Sequence, residues 1–148
     1  MPNSLVAKAS TIIDAPASKV WTALVDPTAI KQYFFGTTVT SDWKKGSKIM
    51  WKGEWKGKAY EDKGVILQFD TGKRLAYSHF SPLSGKPDTP ENYHTVTIDL
   101  AGEGKRTRVS LSQDNNATEE ERDHSTKNWE MMLAGLKKYV EGSGASRR

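Results

Sequence analysis

The chain has 148 residues, a mass of 16.5 kDa and 22 basic against 18 acidic residues, giving a formal net charge of +4. This length is typical of one domain, and so small a basic excess does not require a nucleic-acid partner. The absence of cysteine excludes disulfides, thiolate nucleophiles and Cys-ligated metals. No run of about 18 apolar residues exists, so no membrane span is expected. Residues 1–4 lack the features of a signal peptide, and we expect a cytoplasmic protein.

The N-terminal quarter carries one strand signal followed by two helix signals. Leu5–Ile13 ends in a β-rich run and is predicted to be a strand. Residues 14–16 suit the start of a short helix, because Pro16 is tolerated in the first turn. Asp26 is predicted to cap a second short helix that begins at Pro27 and ends at Gly36.

From residue 37 the apolar pattern changes from helical spacing to alternation. Such alternation, interrupted by short Gly- and Asp-containing turns, predicts an antiparallel meander. Gly64 is expected to mark a bulge or bend in a long strand. The predicted strands cover residues 37–41, 47–53, 58–69, 74–80, 93–100 and 105–113, with a loop over 81–90.

The C-terminal segment has the strongest helix signal. Thr118 and Glu121 form a capping-box pattern. The helix is predicted from about Thr118 to Glu141, within a single domain over 1–141, and residues 142–148 are predicted to be a flexible tail. The apolar stripe of this helix can cover one face of the sheet, and a curved sheet can leave a cavity beneath the helix. The stripe consists of Trp129, Met132, Leu133, Leu136 and Val140.

Several strings in the sequence resemble the START/Bet-v-allergen-like (SRPBCC) superfamily, and more narrowly the C-terminal domain of heat-shock protein 90 ATPase activators. The resemblance implies an α+β helix-grip fold. In that fold a curved antiparallel sheet of six to seven strands wraps a long C-terminal helix, with two short helices after strand one. Members bind lipids, sterols, polyketides or plant hormones, and some are cyclases or hydrolases. The strings are IDAPASKVWTALVDP at 13–27, KGVI at 63–66, KRTRV at 105–109 and the NW…L…LK pattern at 128–137.

The three histidines do not have the spacing of a metal site. His79, His94 and His124 are too far apart to share one helix face, so no metal or cofactor is predicted. His79 is the best-placed acid or base, yet no carboxylate lies near it in sequence, and a packing role is the simpler interpretation. No Gly-x-Ser-x-Gly elbow exists, and no catalytic residue is predicted.

Lysines alternate with tryptophans between residues 43 and 58. This pattern could bind single-stranded nucleic acid by phosphate contact and base stacking. Alternation along a strand gives the simpler interpretation that Lys48 and Lys52 form the solvated face and Trp51 the packed face. We therefore expect no nucleic-acid partner. Trp43 and Trp55, at or near turns, are the two that this interpretation explains least.

The sequence favours a domain that binds a small hydrophobic ligand, such as a lipid, sterol or polyketide-like molecule, under its last helix. A co-chaperone-like interaction module, with a filled interior and a possible chaperone partner, is the first alternative. A cyclase- or hydrolase-like enzyme with an acid–base pair inside the cavity is the second. Oligomeric state is not predicted. The expected ligand-binding residues are Phe34, Trp51, Tyr60, Tyr77, His79, Val96, Asn128, Trp129 and Leu133.

Overall fold

Seven antiparallel strands form one curved open sheet around a long C-terminal helix. A computed structural model of the protein describes residues 5–34, 36–55, 57–81 and 85–145. The strands follow the order β1-β7-β6-β5-β4-β3-β2, so β1 at one edge pairs with the last strand. They are β1 Leu5–Ile13, β2 Thr38–Ser41, β3 Lys48–Trp55, β4 Lys58–Asp70, β5 Arg74–His79, β6 His94–Glu103 and β7 Arg106–Asn116, and the helices are α1 Ala17–Val25, α2 Pro27–Tyr33 and α3 Glu119–Ala145.

The two short helices close one end of the sheet. Pro16 stands at the N-cap of α1 with no side-chain cap, whereas Asp26 Oδ1 accepts a 3.0 Å hydrogen bond from Thr28 N at the start of α2. The buried side of α1 includes Trp21, which packs edge-on against Phe69 of β4. The hydrogen bond from Thr28 N confirms the predicted capping role of Asp26.

The long strand β4 departs from regular pairing near its centre. Its register with β5 shifts between Ile66 and Gln68, which places a bulge next to the predicted position. Gly64 itself serves a different purpose. A Cβ added there would lie 1.7 Å from the carbonyl oxygen of Ser78, so only glycine permits this approach of β4 to β5.

Helix α3 begins as the capping pattern predicts, because Thr118 Oγ1 accepts a 3.0 Å hydrogen bond from Glu121 N. Its buried stripe lies on the concave face of the sheet. It also lies close to α2, where an added Cβ on Gly135 would be 3.1 Å from the Tyr33 carbonyl oxygen. In the described part of the chain, no helix combines the length and the apolarity needed to cross a membrane.

The C-terminal half of α3 is bound to the end of β1. Lys137 Nζ donates to the Ile12 carbonyl oxygen at 2.8 Å and to Glu141 at 2.5 Å, and Asp14 N donates to Glu141 at 2.8 Å. These hydrogen bonds, that from Lys137 first, hold the pKa of the Glu141 carboxyl below its ordinary value.

The sequence placed the elements in the correct order but not all of their ends. The strand predicted over residues 47–53 is wrong at its end, because β3 continues to Trp55. Helix α3 continues to Ala145 rather than ending at Glu141, so residues 142–145 of the predicted tail are helical. The loop residues 82–84, Lys56 and the tail residues 146–148 lie outside the described residues. The division into a domain over 1–141 and a flexible tail stays a prediction.

Candidate functional site

The space between the sheet and α3 is almost completely filled by the protein's own side chains. The residual cavity there has a volume of about 30 Å³. A void of that size accommodates one or two waters, whereas small-molecule pockets span about 300–1,000 Å³. The expected open cavity is therefore absent from the described structure. The residues around the remaining volume are Leu24, Ile30, Tyr33, Phe34, Val39, Trp43, Ile49, Trp51, Leu75, Tyr77, Ile98 and Met132.

Trp51 occupies a key position in this packing. Its ring lies 5.1 Å from the ring of Tyr77 on its inner side and 5.0 Å, edge-on, from the ring of His79. Tyr77 borders the small interior cavity, and His79 borders a larger cleft at the end of the sheet. Burial raises the pKa of the Tyr77 phenol, so the interior favours its neutral form. Trp51 thus lies between the apolar interior and the polar cleft.

A histidine and a carboxylate pair at this cleft. The Nε2–H of His79 donates to Asp62 Oδ2 at 2.8 Å, and the two side chains are 27% and 15% exposed. Asp62 lies opposite Trp51 in the β3–β4 pairing, which places it on the concave face. Its other oxygen, Oδ1, is buried without a hydrogen-bond partner among the described residues. A buried carboxylate is destabilising unless a hydrogen bond or an opposite charge offsets its lost hydration. In the described part of the chain, the Nε2–H of His79 provides that hydrogen bond to Asp62.

A second histidine, His94, lies beside the Asp62–His79 pair on the next strand, β6. His94 pairs directly with His79 in the β5–β6 register, and their rings stack with centroids 6.3 Å apart. His94 Nδ1–H donates to the Asp114 carbonyl oxygen at 2.8 Å, which leaves Nε2 toward Glu121 Oε2 at 4.0 Å. The hydrogen bonds therefore fix both rings in defined orientations.

These groups border a cleft of about 420 Å³ between the ends of β5 and β6 and the start of α3. Its volume lies in the range of small-molecule sites. Three further hollows, of about 350, 490 and 530 Å³, are more open surface grooves. Among the described residues, no group of three His, Asp or Glu side chains could hold a metal ion. The cleft is lined by His79, Ser81, Lys86, Glu91, Asn92, His94, Asn115, Ala117 and Glu121.

The nine expected ligand-binding residues do not lie together in one site. Only His79 borders the cleft. Tyr60 Oη bonds to Thr37 Oγ1 at 2.6 Å, and Asn128 is exposed on α3. Trp129 donates from Nε1 to Gln113 Oε1. The remaining five belong to the hydrophobic core or pack against it: Phe34, Trp51, Tyr77, Val96 and Leu133.

Sequence reasoning missed three cleft-region groups: Asp62, His94 as a partner of His79, and Glu121. Asp62 follows Tyr60 by two positions, so strand alternation could have placed a carboxylate on the face of Trp51. Its contact with His79, 17 positions away, depends on the β4–β5 register, which the bulge shifts. The sequence has no carboxylate close to His79 along the chain, and the fold supplies one from a neighbouring strand.

Lysines and tryptophans between residues 43 and 58 take the simpler of their two interpretations. Lys48 and Lys52 are exposed, while Trp51 is buried. Trp43 packs against Phe69 with centroids 6.5 Å apart and adopts a positive φ of 57°. The side chain of Trp55 lies outside the described part of the structure.

The curved seven-stranded sheet, the long C-terminal helix and the two short helices after β1 define an α+β domain of the helix-grip type. The chain belongs to the family described as Activator of Hsp90 ATPase homolog 1-like protein, whose family model matches residues 14–141. The suspected SRPBCC-type superfamily is thus confirmed. No curated protein matches the chain.

Solved structures with the same fold include a near relative and two distant ones. The solution structure of ChR145 from Cytophaga hutchinsonii is 61% identical, with a TM-score of 0.84 over 98% of this chain and 99% of that one. CalU16 from Micromonospora echinospora is 23% identical, with a TM-score of 0.72 over 93% and 85% of the two chains. The Aha1 dimer from Colwellia psychrerythraea is 18% identical, with a TM-score of 0.71 over 93% and 96%. The two distant likenesses concern the fold alone.

Proposed function

We propose that the protein binds a small polar molecule in the cleft bordered by His79 and His94. The observation that carries the proposal is a cleft of about 420 Å³ next to the oriented Asp62–His79 pair. Charged and amide side chains around it, including Lys86, Glu121 and Asn92, suit hydrogen bonding to a ligand. The proposed ligand site therefore lies at the end of the sheet, and not in the interior that the sequence predicted to hold a hydrophobic molecule.

The hydrogen-bond pattern defines what the ligand must offer. Nε2–H of His79 is engaged by Asp62, so neutral His79 carries its lone pair on Nδ1. No described residue hydrogen-bonds to that Nδ1. A ligand donor, such as a hydroxyl or an acidic C–H, complements it. A lipid tail or sterol ring would instead need far more interior volume than about 30 Å³.

Titration of the 15N-labelled protein with small phenols, hydroxybenzoates and heteroaromatic amides tests the proposal. Amide shifts should cluster at His79, His94 and Ala117, with Kd values of about 1 mM or tighter for the best compounds. His79→Gln should weaken binding about tenfold, the effect of one lost ligand hydrogen bond. His124→Gln is the matched control, because His124 is exposed on α3 and does not line the cleft.

The same titration separates the alternatives. Shifts confined to Trp51, Met132 and Leu133 would favour a hydrophobic ligand that opens the interior. The filled interior leaves the outer surface for function and so favours a second candidate, interaction with a chaperone. Membership in the family of Hsp90 ATPase activator homologues supports the same candidate. An absence of cleft shifts, together with binding to purified heat-shock protein 90, would support that second function.

A further inference from the structure

We infer that the Asp62–His79 pair is a general base that abstracts a proton from carbon next to an electron-withdrawing group of the bound molecule. This inference rests on the proposed function, because it requires the substrate to occupy the same cleft. It adds a catalytic activity and a substrate class: small molecules with an acidic C–H, as in carbonyl compounds.

The geometry contains the parts that such a base requires. An imidazole is a competent base when a second group fixes its tautomer and its lone pair faces the substrate. The Asp62 carboxylate accepts from Nε2–H at 2.8 Å, so the lone pair of neutral His79 is on Nδ1. Among the described residues Nδ1 has no hydrogen-bond partner, and the ring borders the cleft.

The surroundings stabilise the charge that proton transfer creates. When Nδ1 takes the proton, the imidazolium lies against Oδ2 of the mostly buried Asp62 carboxylate, whose Oδ1 has no hydrogen-bond partner in the described part of the chain. The charged ring and the carboxylate then lie 2.8 Å apart as an ion pair. Trp51 supports the His79 ring edge-on, and His94 stacks beside it, so the ring has a fixed orientation.

The step balances without a cofactor or an oxidant. The proton moves from the substrate carbon to His79 Nδ1, and the C–H electron pair stays on the substrate, as an enolate where a carbonyl is present. The proton then returns to another carbon or to water. In this scheme His79 is the catalytic residue, and Asp62 is a positioning residue.

The probe 5-nitrobenzisoxazole tests the inference directly. A base removes its ring C–H proton, the C–H electron pair forms the nitrile, and the N–O bond breaks to release a coloured phenolate. General-base catalysis contributes about 10²–10⁴-fold, so His79→Ala should lower kcat/KM by about 100-fold or more. His124→Gln should retain the wild-type rate.

Asp62→Asn should lower kcat about tenfold or more with little change in KM, because it alters the base and not the binding surface. It should also change the imidazole 15N signals of His79, which report the tautomer, and Asp62→Glu should recover part of the rate. A structural role alone would leave kcat at the wild-type value in folded Asp62→Asn, and that result would overturn the positioning role.

Binding and turnover have separate readouts. If the probe shifts the amides of His79 and His94 but reacts at the rate of His79→Ala, the inference is overturned and the binding proposal stands. If the probe produces no cleft shifts at its solubility limit, the inference is overturned, and the titration with phenols, hydroxybenzoates and heteroaromatic amides decides the binding proposal separately. Cleft shifts with a His79-dependent rate support both.

Discussion

Two buried tyrosines couple individual side chains to the alkaline stability of the fold. Burial raises the pKa of both Tyr33 and Tyr77. Tyr33 Oη donates to the Ala23 carbonyl oxygen at 3.0 Å, which further ties it to its site. Unfolded tyrosines ionise near pH 10, so above that pH the unfolded state holds fewer protons than the folded state. The free energy of unfolding therefore falls as pH rises above about 10.

Tyr77→Phe removes one of these ionisations. The variant should lose stability less steeply, by about 1.4 kcal/mol per pH unit above pH 10, than the wild type does. Urea unfolding at pH 8, 10 and about 11 measures the difference, with Tyr33 still ionisable in both proteins. Identical slopes in the two proteins would show that Tyr77 is not kept neutral by burial.

At this scale the sequence predicted single side chains better than their partnerships. Alternation on β5 correctly places Tyr77 and His79 on one face. It could not supply Asp62, because a diagonal contact between strands depends on register, and one bulge changes it. Tyr60 and Asn128 were expected to orient a ligand, but their surroundings depend on distant segments that local patterns do not describe.

Among the elements, the close pairing of β4 with β5 at Gly64 imposes the strictest steric demand. The missing side chain of Gly64 leaves room for the Ser78 carbonyl oxygen, and backbone atoms cannot move aside as a flexible side chain can. Lys63 pairs with Phe80 immediately beside it through backbone hydrogen bonds of 2.8 and 3.0 Å. Register and curvature at the His79 end of the sheet thus depend on this glycine.

Gly64→Ala should destabilise the protein by about 3 kcal/mol, since an added methyl group meets main-chain atoms. Gly102→Ala is the matched control in β6, because a Cβ there meets nothing within 4 Å and the residue has no positive φ. The control should change stability by at most about 0.5 kcal/mol. Equal urea midpoints for the two variants would contradict the steric argument.

The order of elements was predictable because each has a strong local signal. Asp26-Pro27 and Thr118 mark helix starts that the hydrogen bonds confirm. The ends were less predictable: the predicted tail begins at Gly142, yet α3 continues to Ala145. Glycine lowers helix propensity by only about 1 kcal/mol, so it does not end a helix that is already packed.

For the molecule as a whole, the filled interior determines which functions are open to it. Alternation identifies the side chains that face α3, but it does not sum their volumes against the curvature of the sheet. Phe34, Trp51 and Tyr77, expected as walls of a pocket, themselves occupy the space. The fold class could be predicted from the sequence, and the free volume could not, because it is a small difference between large quantities.

Met132→Ala should open this interior. Met132 is 3% exposed and borders the cavity of about 30 Å³, so its truncation should cost about 2–5 kcal/mol. The enlarged cavity should bind benzene or indole. A rise in the Tm of the variant when either compound is added measures this binding. Met131→Ala is the control, since Met131 is 56% exposed and should change stability little. Binding of benzene by the wild type to the same extent would contradict a filled interior.

Hydrogen bonds attach both halves of α3 to the sheet: Lys137 donates to the Ile12 carbonyl oxygen at the end of β1, and Ser125 and Trp129 donate to Asn116 and Gln113 of β7. Glu121 lies about 24 Å along the helix axis from Lys137. A molecule that displaced Glu121 from the cleft would first have to stretch the bonds of Ser125 and Trp129, so the width of the cleft depends on how the first turns of α3 dock on β7.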